Sequence, residues 1–352
     1  MNQNKFSNTR VEFHILQSFP VSCLNRDDVG APKSALIGGV ERARVSSQCW
    51  KRAVRLELRN LGVRIADRTK LVTQKIADAC VALGAPADQS EQCAAAVAKM
   101  LTKTVKNGKN DTLFFLSNAE AQAIAAACVK EENGAKTAAA PADKEVKKIL
   151  KEQCNTVLDG LDIALFGRMV AQAPELNIEA AASFAHAIST HKVSSEVDFF
   201  TAVDDLDHTG HMGSLEFNSA TYYRYVSLDL GQLAANLRTG EIGEAVKAFT
   251  QALFIAYPAA RQSTMTAMCP WNYAIVTLRR GQGLQLPFNA PVRPSAGEDM
   301  VTASVNALNE RFEQVARMYG SLFGLRAQFR LGTAEGSIDT LLAELDAQLK
   351  AL

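Results

Sequence analysis

At 352 residues the chain has room for one elaborated domain or two ordinary ones. Hydrophobic residues make up 47% and charged residues 21%, near globular averages, which excludes a wholly disordered chain. No apolar run reaches the roughly 18 residues a membrane span needs, and the first ten residues hold no apolar stretch of signal-peptide type. Seven cysteines are scattered without a C-x-x-C pair. That argues against a disulfide framework or a cysteine-rich zinc site and predicts a reducing, cytoplasmic setting.

The net charge of +1 hides a polarised chain. Between Arg26 and Arg64 nine basic residues accompany four acids, a local charge of +5; between Asp162 and Phe217 two basic residues accompany nine acids, a local charge of −7. Such a chain could hold a polyanion on one face, or stack head to tail on copies of itself. Both runs could equally be solvated faces.

In chain order, Val11–Leu16 alternates, with Val11, Phe13 and Ile15 on one side and Glu12 and His14 on the other, which predicts a half-buried strand. Ser18–Ser34 reads as a polar loop punctuated by Pro20, Gly30 and Pro32. A helix follows, capped by Ser46 or Ser47, stopped at Gly62 and burying Trp50, Val54, Leu58 and Leu61. From about Ile65 to Leu158 the chain is rich in Ala, Lys and Gln. It reads as a helical insertion with breaks near Gly84, Asn107 and Asn133–Asp143. Leu161–Val170 has strand texture and Ile178–Thr190 helix texture. Val197–Phe217 is acidic and aromatic, with glycines. Tyr222–Leu230 reads as a strand, Gly240–Tyr257 as an amphipathic helix and Trp271–Arg280 as a strand. A Pro- and Gly-rich loop (Gly281–Glu298), a long helix (Asp299–Gly324) and a short one (Thr340–Leu352) complete the chain. The order fits an α+β sheet domain of ferredoxin type that two excursions leave.

The helix from Ser46 concentrates three devices for anions. Its first-turn N–H groups are unpaired, Ser46, Ser47 and Gln48 add neutral donors, and Lys51, Arg55 and Arg59 recur every four residues with Arg52 beside them. Arg26, Lys33, Arg42 and Arg44 arrive from the preceding segment, and only Glu57 on the helix can neutralise these cations. The set suits phosphates gripped without reading bases. Phe199 and Phe200 in the acidic segment suit stacking on bases, or a core strand. Asp204, Asp205, Asp207, His208 and His211 are metal-ligand residue types, but they match no established frame and read by default as a solvated loop. Lys99, Lys103, Lys106 and Lys109 form a basic run that either touches a DNA duplex or is a solvated helix face. Phosphate-binding glycine loops, a nucleophile elbow and the aromatic signature of the standard RNA-recognition sheet are all missing.

The string SCLNRDDVGAPKSALIGGVERARVSSQCWKRAVR, then LDIALFGRM, SFAHAISTHKVSSEVDFFTAVDDL and EFNSATYYRY, occur in the order found in one family. They resemble the backbone subunit, of CasC type, of the type I-E CRISPR surveillance complex Cascade. The resemblance implies a hand-shaped α+β chain. A ferredoxin- or RRM-like palm (1–62, 159–192 and 221–352) would carry a helical finger insertion (63–158) and a thumb hairpin (193–220). Copies would stack head to tail along the guide crRNA beside other Cascade subunits, leaving the spacer free to pair with target DNA, with no cofactor and no membrane. Carried over by motif, Arg26, Lys33, Ser46, Gln48, Lys51 and Arg52 would hold guide phosphates and sugars, joined by Arg55. Met169 and Phe200 would wedge beside a displaced base, flanked by Arg168 and Thr201. The resemblance implies no catalytic role. The alternative is a metal-dependent backbone subunit that cuts RNA with a loop aspartate, for which Asp27, Asp28 or Asp204 would serve.

Overall fold

The computed structural model describes residues 5–102, 105–106, 109–132, 134–152, 159–203, 210–237, 241–333 and 336–352. Its centre is a nine-stranded sheet whose pairings are all antiparallel. The first strand, Thr9–Ser22, lies between the long strand Gly210–Asp229 and Tyr273–Arg280, with Leu325–Leu331 on the outer edge. On the other side the sheet continues through Ala187–Ser189 to the hairpin of Val40–Val45 and Ser34–Ile37.

Alternation in the first strand separates two cores. Val11, Phe13 and Ile15 face a layer made of the basic helix Ser47–Asn60 and the helices Leu161–Phe166, Leu230–Leu237, Ile242–Ile255 and Ile338–Ala351. The opposite face is not open to solvent, contrary to the half-buried reading. Leu16, Tyr223, Tyr225 and Ile275 there lie under the loop at Leu284–Phe288 and the helix Met300–Tyr319, which contributes Leu308, Phe312 and Val315. Glu12 and His14 are therefore buried polar groups, and both are satisfied. Glu12 accepts from the Tyr225 hydroxyl (2.5 Å), the Leu284 N–H (2.6 Å) and Arg279 Nη1 (2.5 Å). The Tyr223 hydroxyl accepts from the Leu286 N–H (3.0 Å) and shares a hydrogen bond with His14 Nδ1 (2.9 Å). These bonds clamp the covering loop to the sheet. Removing Arg279 would leave Glu12 buried and unpaired, at a cost of about 3–5 kcal/mol.

Three segments depart from their local texture. Leu161–Phe166 is a helix, and Ile178–Thr190 holds two short strands, Ala182–Phe184 and Ala187–Ser189, paired with the long strand. Leu325–Leu331, unassigned from sequence, is the edge strand. The insertion carries helices Val72–Ala82, Ala87–Leu101, Asn118–Cys128 and Asp143–Glu152. It also carries short ladders, including Val129–Glu132 with Ala135–Ala138 where a break is expected. Its separate core extends past the insertion to Val170, Ala173 and Leu176.

Burial, and then Arg279, hold the His14 imidazole neutral, with its pKa lowered from 6.5 to about 3. Between those values the unfolded chain binds a proton that the folded chain refuses, so stability falls as pH drops from 6.5 toward 3. The fall approaches about 1.4 kcal/mol per pH unit at most. In urea melts from about pH 7 to about pH 4, His14→Asn should lose stability less steeply than the wild type. Parallel slopes would contradict this role for His14.

Candidate nucleic-acid interface

The basic helix starts as its sequence requires. Ser46 is the N-cap, its hydroxyl accepting from the Cys49 N–H at 3.3 Å, and its own N–H donates to Asn25 Oδ1 at 2.9 Å. Trp50, Val54 and Leu58 are buried; Leu61 is the C-cap and only partly covered. The loop before the helix is clasped from inside. Asp27 Oδ1 accepts from the N–H groups of Val29 (3.0 Å) and Ala31 (2.9 Å), and the Lys33 N–H reaches the Asn25 carbonyl at 2.9 Å.

The cations of this region divide into two groups. Arg26 and Arg52 are exposed and line a cleft of about 760 Å³ between the loop, the helix and the segment Tyr257–Gln262. Gln48 is exposed and Lys33 half-buried. Lys51 lies 5.9 Å from the centre of the Phe184 ring, and its partial burial lowers its pKa. Arg55, expected beside them, is instead an internal group. Its Nε meets Asp162 Oδ2 at 2.6 Å, it also bonds the Ala66 carbonyl, and it stacks on Phe115 at 5.0 Å. Arg42 is fully buried, its guanidinium bonded to the Ser189 carbonyl. Asp162 lies 107 residues from Arg55, so a search for partners among carboxylates on the helix misses it. Burial raises the Asp162 pKa, opposed by the Ala66 N–H and by Arg55.

The Gly-Arg-Met turn assigns one task to each residue. Gly167 has φ +79°, and a Cβ there would lie 2.7 Å from the Ile178 carbonyl oxygen. Arg168 exchanges both backbone hydrogen bonds with Ile178 at 2.9 Å. Its side chain, buried within a residue 4% exposed, pairs with Glu120 at 2.6 Å and lies over the Phe114 ring. The Val170 N–H is held by Asn177 Oδ1 at 2.7 Å. Met169 lies between these anchors, 80% exposed. Arg168 is thus corrected from a nucleic-acid contact to an internal anchor for Met169, pointing a large apolar side chain at solvent from a pinned backbone.

The thumb is a two-stranded ribbon. Glu196–Val203 pairs with the outer part of the long strand, from Val203↔Gly210 to Glu196↔Phe217, and from Asn218 onward that same strand pairs with Thr9–Ser22. One continuous strand therefore aims the ribbon from the sheet. Phe200, 37% exposed, lies across Gly213, where a Cβ would meet its ring at 2.6 Å. Phe199 (64% exposed), Thr201 and Met212 occupy the opposite ribbon face. Asp204, Asp205, Asp207 and His208 lie outside the described residues, as does Lys103; His211 sits opposite Ala202 on the ribbon.

The turn and the helix are joined through side chains. Phe184 lies near Lys51, with Phe166 6.0 Å from Phe184 between ring centres, and Phe166 directly precedes the Gly-Arg-Met turn. Gly167→Ala should cost about 1–3 kcal/mol through backbone strain, whereas Met169→Ala should change stability by no more than about 0.5 kcal/mol. Urea midpoints of the two variants check this. Equal losses would make Met169 a packing residue.

A family model described as CT1975-like protein matches residues 11–351. No curated protein matches. Among solved structures, a chain of a "CRISPR RNA-guided surveillance complex, pre-nicking" is 28% identical with a TM-score of 0.79, the alignment covering 96% of this chain and 99% of that one. A chain of a "CRISPR RNA-guided surveillance complex" shares the fold at 23% identity and a TM-score of 0.70, covering 97% and 100%. The chain therefore belongs to the CT1975-like family and is built on the fold of a CRISPR surveillance-complex subunit.

Proposed function

We propose that this chain is the non-catalytic guide-RNA-binding backbone subunit of a type I-E Cascade complex. The observation that carries the proposal is Met169, an exposed apolar side chain on a backbone fixed from both sides. Such a group has no packing purpose where it stands, and it suits a wedge against a nucleobase. Arg26, Lys33, Lys51 and Arg52 hold phosphates, with the N–H groups of the helix start and the polar side chains of Ser46 and Gln48. Phe200 presses on the displaced base from the thumb; Thr201, its neighbour in sequence, lies on the opposite ribbon face. No base edge is read, which suits a subunit serving any spacer, because sequence is then read by pairing between guide and target DNA. The sheet face used by standard RNA-recognition domains is covered here by the Met300–Tyr319 helix, so the RNA runs over the helix and turn instead. Copies stack head to tail along the crRNA, with other Cascade subunits at their sides, in the cytoplasm. Among the described residues no helix is long and apolar enough to cross a membrane. Of the loop aspartates considered for RNA cleavage, Asp27 already serves as acceptor for two loop N–H groups, which favours the non-catalytic reading.

Lys51→Ala with Arg52→Ala, in the complex purified with its guide, should release RNA at lower salt. The dependence of log affinity on log salt should flatten by about 0.7 for each phosphate no longer held. An elution profile identical to wild type would contradict the assignment. Magnesium-dependent cleavage of a guide-paired RNA, abolished by Asp28→Ala, would replace it with the catalytic reading.

A further inference from the structure

Beneath the basic helix the sheet carries a charge that its surroundings do not balance. Arg224 stands on the long strand opposite Ile15 and is 2% exposed. Its strand neighbours Tyr223 and Tyr225 belong to the covered face, so Arg224 points the other way, toward the helix layer. There its guanidinium carbon lies 3.5 Å from the centre of the Trp50 ring. Nη1 donates to Gln17 Oε1, and Gln17 Nε2 donates in turn to the Cys269 carbonyl at 2.6 Å. Arg224 Nε and Nη2 reach no acceptor among the described residues, and neither does Trp50 Nε1.

The other inward-facing arginines differ. Arg279 has Glu12, Arg168 has Glu120 and Arg55 has Asp162. Arg42 spends its donors on the carbonyls of Ser189 and Phe288. Arg224 has one neutral amide oxygen and no carboxylate among the described residues. Burial alone lowers its pKa, from 12.5 to about 9, which leaves it charged at neutral pH.

Two costs attend this placement. A buried guanidinium with unmet donors is destabilising. Trp50 is also the fourth residue of the basic helix, so the cation sits against the first turn, where the helix dipole already presents its positive end. An apolar side chain in the same place would avoid both costs. Both change sign when an anion occupies the helix start, because attraction through the interior is little screened.

We infer that Arg224 is a buried positioning residue for the guide-RNA phosphate: it seats Trp50, whose backbone runs directly into Lys51 and Arg52, and it places an uncompensated positive charge beneath the phosphate-binding end of the helix. The inference rests on the guide-RNA reading above and deepens it. Arg224 lies outside the cationic run and touches no RNA itself. Its ligand chemistry is the phosphodiester held by the helix start, felt through Trp50 and the first turn.

The test compares Arg224→Met and Arg224→Lys in the guide-loaded complex, with the Lys51→Ala, Arg52→Ala complex as reference, and adds urea midpoints of the guide-free chains. Arg224→Met removes the charge and keeps an unbranched side chain against Trp50. It should leave the urea midpoint unchanged or raised and weaken guide binding at fixed salt by about threefold or more. Arg224→Lys should retain more RNA than Arg224→Met. Wild-type retention for Arg224→Met, with the reference variant weakened, would overturn the Arg224 assignment alone. Wild-type retention in both would overturn the guide-RNA reading beneath it. A lower urea midpoint for Arg224→Met would make Arg224 a structural residue, and equal RNA loss in the Met and Lys variants would show that its charge is not what counts; either result overturns the inference.

Discussion

The fold depends on closing a long gap in its own palm. The chain leaves the basic helix at Asn60, makes the finger and returns at Leu161, so two palm helices far apart in sequence must be fixed side by side. The fully buried carboxylate of Asp162 does this. Its Oδ2 receives Arg55 Nε, and its Oδ1 receives the Ala66 N–H at 2.9 Å. Beside it, the entering and returning segments meet in an isolated bridge at Arg64↔Asp159, with the Gly160 N–H on the Arg64 carbonyl at 2.9 Å. Isolated buried ion pairs contribute little net stability, and their value lies in geometry, since breaking one strands a charge. Here the geometry is the angle between the helix that offers cations and the turn that offers Met169.

A second joint repeats the principle. Arg168 with Glu120 ties the returning chain to the finger, and the guanidinium groups of Arg55 and Arg68 both lie over the Phe115 ring. The basic residues are therefore two populations with one composition. Arg42, Arg55 and Arg168 face inward on carbonyls, carboxylates and rings. Arg26, Lys33, Lys51 and Arg52 remain toward solvent or the cleft. A charge count cannot separate them, because the sorting depends on partners more than a hundred residues away for Arg55 and Arg42.

That limit explains how much is legible in the sequence. The basic helix, with its Ser46 cap, its Gly62 stop and its Trp50–Val54–Leu58 stripe, is determined within its own segment and is readable there. The thumb ribbon is legible only through the family strings, because its alternation alone suits a core strand as well; the pairing of Phe200 with Gly213 is what makes it a projecting ribbon. Leu161–Phe166 misleads because Ile, Leu and Phe in six residues suit strand and helix alike; Gly160 and Gly167 at its ends, both with positive φ, decide for a short helix. The covered second face of the sheet is invisible because Glu12 and His14 look like solvent-facing residues until Arg279, Tyr223 and Tyr225 arrive as partners. The family strings supply Met169 and Phe200 by likeness; the structure shows Met169 exposed between two residues whose backbones are pinned.

The central claim is that the outward cations hold a guide RNA. Its most direct test is to purify the chain from cells that express a CRISPR guide and the other Cascade subunits, measure the ratio of nucleic-acid to protein absorbance, and sequence the bound RNA. The account predicts a nucleic-acid-rich complex containing one discrete guide-length species. A protein-like ratio, with the chain still present in the complex, would contradict it.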